Sequence, residues 1–205
     1  MVITNGSSPK HISGSEVPAN STCSKFLFFS DASFDKNSKT GVGGFLCLSR
    51  GNLNSASPSL SSFHSSEKLD LSVPSIMTKT FTCNSCVEAE LNTVIWLMQL
   101  IVAEKLSEAS HAASIEVTIY TDSQSVAQLL TRRSKLESLQ FQSKRSKKQL
   151  TYASSYRLFF TLVDQVRPNI IWVPGHQPVK SRQPINEFFS LIDCATRAAL
   201  RNNLK

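Results

Sequence analysis

Four acidic residues lie where a folded chain can hold a carboxylate in place. Asp31 and Asp122 each close a run of strand-forming residues, and Glu90 and Asp193 lie beside the apolar stripes of two helical segments. Burying one unpaired carboxylate is costly, and bringing several together costs more because like charges raise each other's pKa. A hard divalent cation with oxygen ligands removes this penalty. If the four acids converge, they suit metal ions that act on a phosphodiester.

The elements that would position these acids follow an α/β order. Five segments are typical of strands, namely residues 25–31, 41–48, 76–82, 115–122 and 169–173. Helical periodicity begins near Ser85, resumes from Gln124 to about Arg132 after Ser123 as its cap, and recurs from Ile185 to Leu200. Three strands, a helix, a strand, helices, a strand and a helix predict a mixed sheet covered by helices.

Length and composition fit one domain. The chain has 205 residues, 40% of them apolar, and no apolar run approaches the ~20 residues that span a membrane. Residues 1–24, rich in Ser, Asn, Thr and Pro, predict a disordered arm, and residues 25–205 predict the domain, with a loop insertion at 51–75. The five cysteines, with no secretory signal before them, fit a reducing compartment. We expect a cytoplasmic monomer that does not bind membranes.

The positive charge is concentrated in one segment, residues 132–157. This segment has eight basic residues and a single acidic one, Glu137, so it accounts for the whole formal charge of +7. The basic residues are Arg132, Arg133, Lys135, Lys144, Arg145, Lys147, Lys148 and Arg157. We predict two helices here, hinged around residues 143–146, the second running from Tyr152 to Val166. A localised basic face is typical of a protein that binds a polyanion, and a solvated helix face is an equally good interpretation of the charges alone.

Five short segments together resemble one known family. In chain order they are Phe29-Ser30-Asp31-Ala32-Ser33 with Gly43-Gly44, Glu90-Leu91, Tyr120-Thr121-Asp122-Ser123-Gln124, Trp172-Val173-Pro174-Gly175-His176, and Asp193-Cys194-Ala195-Thr196-Arg197-Ala198-Ala199. Over roughly residues 25–200 the sequence resembles type 1 ribonuclease H, of the RNase H-like superfamily. The resemblance implies an RNase H-like mixed five-stranded sheet whose first three strands are antiparallel, flanked by helices.

The resemblance also implies an activity and a set of catalytic residues. It implies an endonuclease that hydrolyses the RNA strand of RNA/DNA hybrids by two-metal-ion catalysis and leaves 5′-phosphomonoesters. Two Mg²⁺ ions, or Mn²⁺, would be ligated by Asp31, Glu90, Asp122 and Asp193. His176, on a mobile loop, would help water to enter or the product to leave. Glu90 is favoured over Glu88 because it lies beside the apolar stripe of its helix.

The family's substrate contacts carry over to two regions. Contacts to the RNA strand are implied near Ser33 and Gln124. The basic segment occupies the place of a protrusion that grips the DNA strand in several family members, so we expect nucleic-acid contacts from Arg132, Arg133, Lys144, Arg145, Lys147 and Lys148. One alternative is a catalytically weak RNase H-like module that only binds nucleic acid. A proofreading-type exonuclease is disfavoured because that class needs a second acid where this chain has Ser33.

Overall fold

The computed structural model describes residues 24–49, 75–107, 115–175 and 184–204. The elements in these ranges are β1 (Ser24–Asp35), β2 (Thr40–Ser49), β3 (Ile76–Thr82), α1 (Cys86–Ser107), β4 (Ile115–Thr121), α2 (Gln124–Ala127), α3 (Leu129–Ser138), α4 (Ala153–Val166), β5 (Asn169–Trp172) and α5 (Pro184–Asn203). Except for their last residues, the predicted arm and the predicted loop insertion fall outside these ranges, and so does His176.

The strands form one mixed sheet in the order β3-β2-β1-β4-β5. β2 is antiparallel to both β1 and β3, whereas β4 is parallel to β1 and β5 is parallel to β4. β1 is therefore the central strand, and its aromatic residues Phe28 and Phe29 are both buried. The predicted five-stranded sheet with three antiparallel strands first is confirmed.

Helices cover both faces of this sheet. Because side chains alternate along a strand, Phe28 and Phe45 join a large core with α1 and α4, while Phe29 and Leu46 join a smaller core with α5. α1 also packs on α4, and α5 lies across β1, β2 and β3. The two helices that carry predicted catalytic acids thus approach β1 from opposite faces.

α1 is the central helix of the large core. Leu91, Val94, Leu97 and Met98 are at most 1% exposed, and full burial of one such side chain stabilises a fold by roughly 1.5–3 kcal/mol. By length and composition alone Cys86–Glu104 would pass as a membrane span, but half of it is buried inside the protein. Core packing therefore explains why this helix is so apolar.

The chain between β4 and β5 differs from the predicted helix boundaries. The helix predicted from Gln124 to about Arg132 is interrupted, since α2 ends at Ala127 and α3 begins at Leu129. The link is Gln128, whose ψ of −2° departs from the regular helical value. The predicted hinge is a loop, residues 139–152, in which the buried ring of Phe141 lies 6.2 Å from that of Phe160.

Candidate active site

Asp31 and Asp122 follow the same register position on two parallel strands. The pairing of β1 with β4 ends at Ser30↔Thr121, so the two acids are the next residues on neighbouring strands. The prediction that the first strand ends at Asp31 is wrong, because antiparallel pairing with β2 continues β1 to Asp35. Asp31 therefore lies within a hydrogen-bonded strand, which fixes its backbone where β4 stops.

Two glycines of β2 allow α1 to approach the sheet closely enough to bring Glu90 to this place. A Cβ atom on Gly43 would lie 1.8 Å from Thr93 Oγ1, and one on Gly41 would lie 2.8 Å from the Cβ of Ala89. Both distances are shorter than real contacts allow. A side chain at either position would push α1 away from the sheet, and Glu90 with it.

The carboxylate of Glu90 is held at both oxygens. The buried Ser123 hydroxyl donates to Oε2, and the Cys86 thiol donates to Oε1 over 3.5 Å. Burial, followed by the charge of Glu90, raises the pKa of Cys86 to about 12, so the thiol keeps its proton and remains a donor. Because Ser123 follows Asp122 in the chain, the Ser123 bond ties α1 to the turn that carries the second acid.

Asp193 reaches the site from the other face of the sheet. A Cβ on Gly44 would lie 2.7 Å from Thr196 Cγ2, so this glycine lets α5 lie against β2. The hydroxyls of Thr196, which is buried, and Ser33 share a hydrogen bond of 2.9 Å that joins α5 to β1. One turn of α5 from Asp193, Arg197 Nε donates to Asp193 Oδ1 at 2.7 Å.

Asp122 is enclosed by the segment that follows β5. The Trp172 indole Nε1 donates to the Asp122 carbonyl at 3.0 Å, and a Cβ on Gly175 would lie 2.8 Å from Asp122 Oδ2. A side chain at position 175 would displace the Asp122 carboxylate. His176 comes next in the chain and lies outside the described residues.

The four acids border one cavity of about 460 Å³. β1, α1, the β4–α2 turn, the segment after β5, and α5 all contribute to its wall. The lining residues are Asp31, Ala32, Ser33, Phe34, Cys86, Glu90, Asp122, Gly175, Asn186, Phe189, Ser190, Asp193, Arg197 and Leu200. Asp31, Glu90, Asp122 and Asp193, predicted from separate parts of the chain, are thus brought together.

The electrostatics of this cavity disfavour the charged form of Asp31. Burial, which is the largest cause, and the charges of Asp122, Asp193 and Glu90 together raise the pKa of Asp31 from its usual 3.8 to about 7. The Ala32 N–H donates to Asp31 Oδ1 at 2.7 Å and lowers the pKa, but by less than burial raises it. The cavity therefore disfavours an ionised Asp31 unless a positive charge is bound beside it.

The donor set fits a hard divalent cation, because all four acids offer oxygen ligands. As they stand, no three or more His, Cys, Asp or Glu side chains among the described residues are grouped closely enough to hold a metal ion. Two of the acids are engaged elsewhere, Glu90 with Ser123 and Asp193 with Arg197. These carboxylates would have to turn in order to bind a common cation.

Glu88 does not line the cavity, although it lies only two residues from Glu90. Its Oε2 accepts from the Asn84 backbone N–H at 2.7 Å and from the Asn84 side chain at 3.3 Å. Ser85 Oγ in turn accepts from the Glu88 backbone N–H at 3.1 Å. This is the hydrogen bonding of a helix N-terminus, and it gives Glu88 a structural task separate from the cavity.

The residues predicted to bind nucleic acid have different surroundings. Ser33 lines the cavity, whereas Gln124 and Arg132 are exposed and do not. Arg133 donates to both oxygens of Asp164 at 2.6 and 2.8 Å and to Glu137 at 2.8 Å. These bonds fasten α3 to α4 and raise the pKa of Arg133. Its nucleic-acid contact stays a prediction, and one that this pairing disfavours.

The other predicted cations lie on a tight turn, residues 143–148, that we call the basic tip. Its backbone is closed by the Ser143 N–H donating to the Lys148 carbonyl at 2.8 Å and the Lys147 N–H donating to the Ser143 carbonyl at 2.9 Å. Its four cations are all exposed, and none is paired with an acid among the described residues; they are Lys144, Arg145, Lys147 and Lys148.

Three residues whose side chains bond to the carboxylates were not predicted as site residues, namely Cys86, Ser123 and Arg197. Ser123 is predicted only as a helix cap, and it does accept from the Val126 N–H at 3.4 Å. Arg197 could have been found from its spacing, since a base four residues after an acid on a helix pairs with it. Nothing in the sequence links Cys86 to Glu90 except the same spacing.

Comparison with known proteins shows the fold. No protein-family model and no curated protein matches the chain. Among solved structures, the PFV RNase H domain is 16% identical with a TM-score of 0.55, over 84% of this chain and 92% of that one. LC9-RNase H1, described as a type 1 RNase H with the type 2 active-site motif, is 15% identical with a TM-score of 0.56, over 90% of this chain and 75% of that one.

A third similar structure is larger than this chain. The foamy viral protease-reverse transcriptase, solved in complex with an RNA/DNA hybrid, is 13% identical with a TM-score of 0.52. The match covers 92% of this chain and 22% of that one. Together these similarities show that the protein has the RNase H-like fold, as its sequence predicts.

Proposed function

We propose that this protein is a metal-dependent endonuclease that hydrolyses the RNA strand of RNA/DNA hybrids and leaves 5′-phosphate and 3′-hydroxyl ends. The observation that carries the proposal is the convergence of four carboxylates, from four parts of the chain, on one cavity. Such a cluster costs stability when no cation is bound, because burial and like charges oppose ionisation. Folding alone gives no reason to assemble it, whereas phosphodiester hydrolysis does.

Two Mg²⁺ ions, or Mn²⁺, would be held by Asp31, Glu90, Asp122 and Asp193, the residues that meet at the cavity. When bound, they would supply Lewis acidity to the phosphodiester and an activated water for attack. The chain's part is to position the backbone of the ligands, through the pairing of β1 with β2 on both sides of Asp31 and the Trp172 bond to the Asp122 carbonyl. His176, next after a cavity residue, would assist water entry or product release.

An RNA/DNA hybrid fits the surroundings of the cavity. Ser33 lies beside Asp31 in the cavity wall, where a hydroxyl can contact a ribose 2′-hydroxyl, and Gln124 opens α2 next to the turn of Asp122. The basic tip offers four exposed cations, which bind phosphates without reading sequence. The foamy viral protein of the same fold, solved with an RNA/DNA hybrid, supports this choice of substrate.

A second candidate function is nucleic-acid binding with little cleavage. The observation in its favour is that Glu90 and Asp193 are engaged with Ser123 and Arg197. Both functions require that the protein binds a hybrid, and only the first requires that a divalent cation changes the RNA strand.

One experiment separates the two functions. The full chain is incubated with an end-labelled RNA/DNA hybrid in Mg²⁺ or in EDTA, beside double-stranded RNA and double-stranded DNA of the same sequence. We expect Mg²⁺-dependent cleavage of the RNA strand, and only in the hybrid. The products should carry 5′-phosphate groups, which a phosphatase removes. Binding of the hybrid without cleavage in Mg²⁺ or Mn²⁺ would leave the binding module as the function, and cleavage of all three substrates would refute hybrid specificity.

A further inference from the structure

Among the described residues that line the cavity, Arg197 is the one cation, against four carboxylates. Its Nε donates to Asp193 Oδ1 at 2.7 Å, from one turn further along α5. The guanidinium group therefore offsets the charge of Asp193 in the protein without metal.

The pairing of Arg197 with Asp193 is easily exchanged. The two side chains are 55% and 31% exposed, and exposed ion pairs of this helical spacing contribute little to stability. Arg133 shows the contrasting case, because two oxygens of Asp164 and one of Glu137 hold it together with the ring of Phe160, 5.1 Å away. Arg133 is therefore held in place by several partners, whereas Arg197 has a single acid partner among the described residues.

A guanidinium group that leaves a carboxylate has one other good partner at this site. Its planar fork of N–H donors matches a phosphate as well as it matches a carboxylate. A divalent cation bound to Asp193 would compete with Arg197 for this carboxylate and would free the guanidinium group at the edge of the cavity. A nucleic-acid strand whose phosphodiester lies over the four acids brings its phosphates to that same edge.

We propose that Arg197 is a phosphate-binding residue that operates only when the metal site is filled. In the metal-free protein it holds Asp193, and with a divalent cation bound it donates to a phosphodiester oxygen of the nucleic acid. This inference rests on the proposed function, since it takes the hybrid as the ligand. It makes binding of the cation and binding of the hybrid mutually favourable.

Two binding measurements on the full chain test the proposal. The affinity for Mg²⁺ alone is measured by calorimetry, and the affinity for a labelled RNA/DNA hybrid by fluorescence anisotropy, once in EDTA and once in Ca²⁺, a hard cation that takes the same oxygen ligands. The variants are Arg197→Ala and Arg197→Lys. The matched control is Arg201→Ala, which removes an exposed cation one turn further along α5 that does not line the cavity.

The two affinities of Arg197→Ala should move in opposite directions. We expect Mg²⁺ to bind about three- to tenfold more tightly, because its competitor is gone, and the hybrid in Ca²⁺ to bind about tenfold more weakly, because a charge-assisted contact is lost. In EDTA, Arg197→Ala should change the hybrid affinity by less than about twofold. The control Arg201→Ala should change the Mg²⁺ affinity and the hybrid affinity by less than about twofold as well. The affinities of Arg197→Lys should lie between those of wild type and Arg197→Ala, since lysine keeps the charge but lacks the planar set of N–H donors.

Each remaining outcome refutes a defined claim. Equal hybrid affinities of wild type and Arg197→Ala in Ca²⁺ overturn the proposal, and so does an equal loss in EDTA and in Ca²⁺, which is a plain charge effect. Should Arg197→Ala not fold, as judged by circular dichroism, Arg197→Lys decides by the same criteria. A wild type that binds the hybrid no better than double-stranded DNA in either buffer refutes the proposed function itself, and the role of Arg197 with it.

Discussion

Asp31→Asn should stabilise the metal-free protein at alkaline pH, although it removes a residue at the centre of the site. In the fold, burial and then the charge of Asp122 raise the pKa of Asp31 from 3.8 to about 7. In the unfolded chain the carboxyl group ionises near its usual value. Between these two pH values the folded state binds the extra proton, so stability falls as pH rises through this window, and the loss is complete above it.

The size of the effect follows from that shift. Each pKa unit corresponds to 1.36 kcal/mol, so a rise from 3.8 to about 7 sets an upper bound of about 4 kcal/mol at pH 8. Asparagine keeps the shape and removes the charge, so the variant should gain on the order of 2–4 kcal/mol. For a protein of this length that raises Tm by roughly 5–15 °C.

The assay is thermal unfolding in EDTA, followed by circular dichroism from pH 4 to pH 9. We expect the difference in Tm between Asp31→Asn and wild type to grow through the window and level off near pH 8. Asp35→Asn is the control, because Asp35 does not line the cavity and its hydrogen bonds from Ser38 lower its pKa. That variant should be slightly less stable than wild type. An Asp31→Asn protein equal to or less stable than wild type at pH 8 would refute the electrostatic description of the cavity.

Three further changes test the scaffold and the substrate surface. Gly43→Ala should lower the free energy of unfolding, measured by urea denaturation, by about 2–3 kcal/mol, because its Cβ would meet Thr93 Oγ1 at 1.8 Å. Adding Thr93→Ala to this variant should restore part of the lost stability. Ser123→Ala, which removes a helix cap, should lower the free energy of unfolding by about 1 kcal/mol. Neutralising the four cations of the basic tip should weaken hybrid binding and flatten its dependence on salt, as measured by anisotropy, and an unchanged slope would make the tip a plain solvated surface.

The fold was accessible from sequence because local patterns are strong in its core elements. The alternating, β-branched run Ile76–Thr82 is β3 residue for residue, and the helix predicted near Ser85 begins at Cys86. The order of elements then restricts the sheet to few arrangements, since parallel strands need crossovers. The choice of Asp31, Glu90, Asp122 and Asp193 rested on the same order, and all four line one cavity.

What the sequence did not reveal depends on distant partners. β1 runs past Asp31 because β2 pairs with it as far as Asp35, and strand pairing is invisible in a local pattern. Arg133 looked like one more cation of a basic face, but Asp164, 31 residues later, holds it. Cys86 and Arg197 are different, because each pairs with an acid four residues away on its own helix, a spacing that the sequence does show.

The most direct test of the central claim is hybrid cleavage by Glu90→Gln compared with Glu88→Gln. Both changes remove one carboxylate from the first turns of α1, but only Glu90 lines the cavity. Initial rates on the labelled hybrid in Mg²⁺ are measured at equal hybrid occupancy. We expect Glu90→Gln to lose cleavage by at least about 10³-fold while still binding the hybrid, and Glu88→Gln to cleave within about threefold of wild type. Equal rates for the two variants would contradict a metal-dependent active site at this cavity.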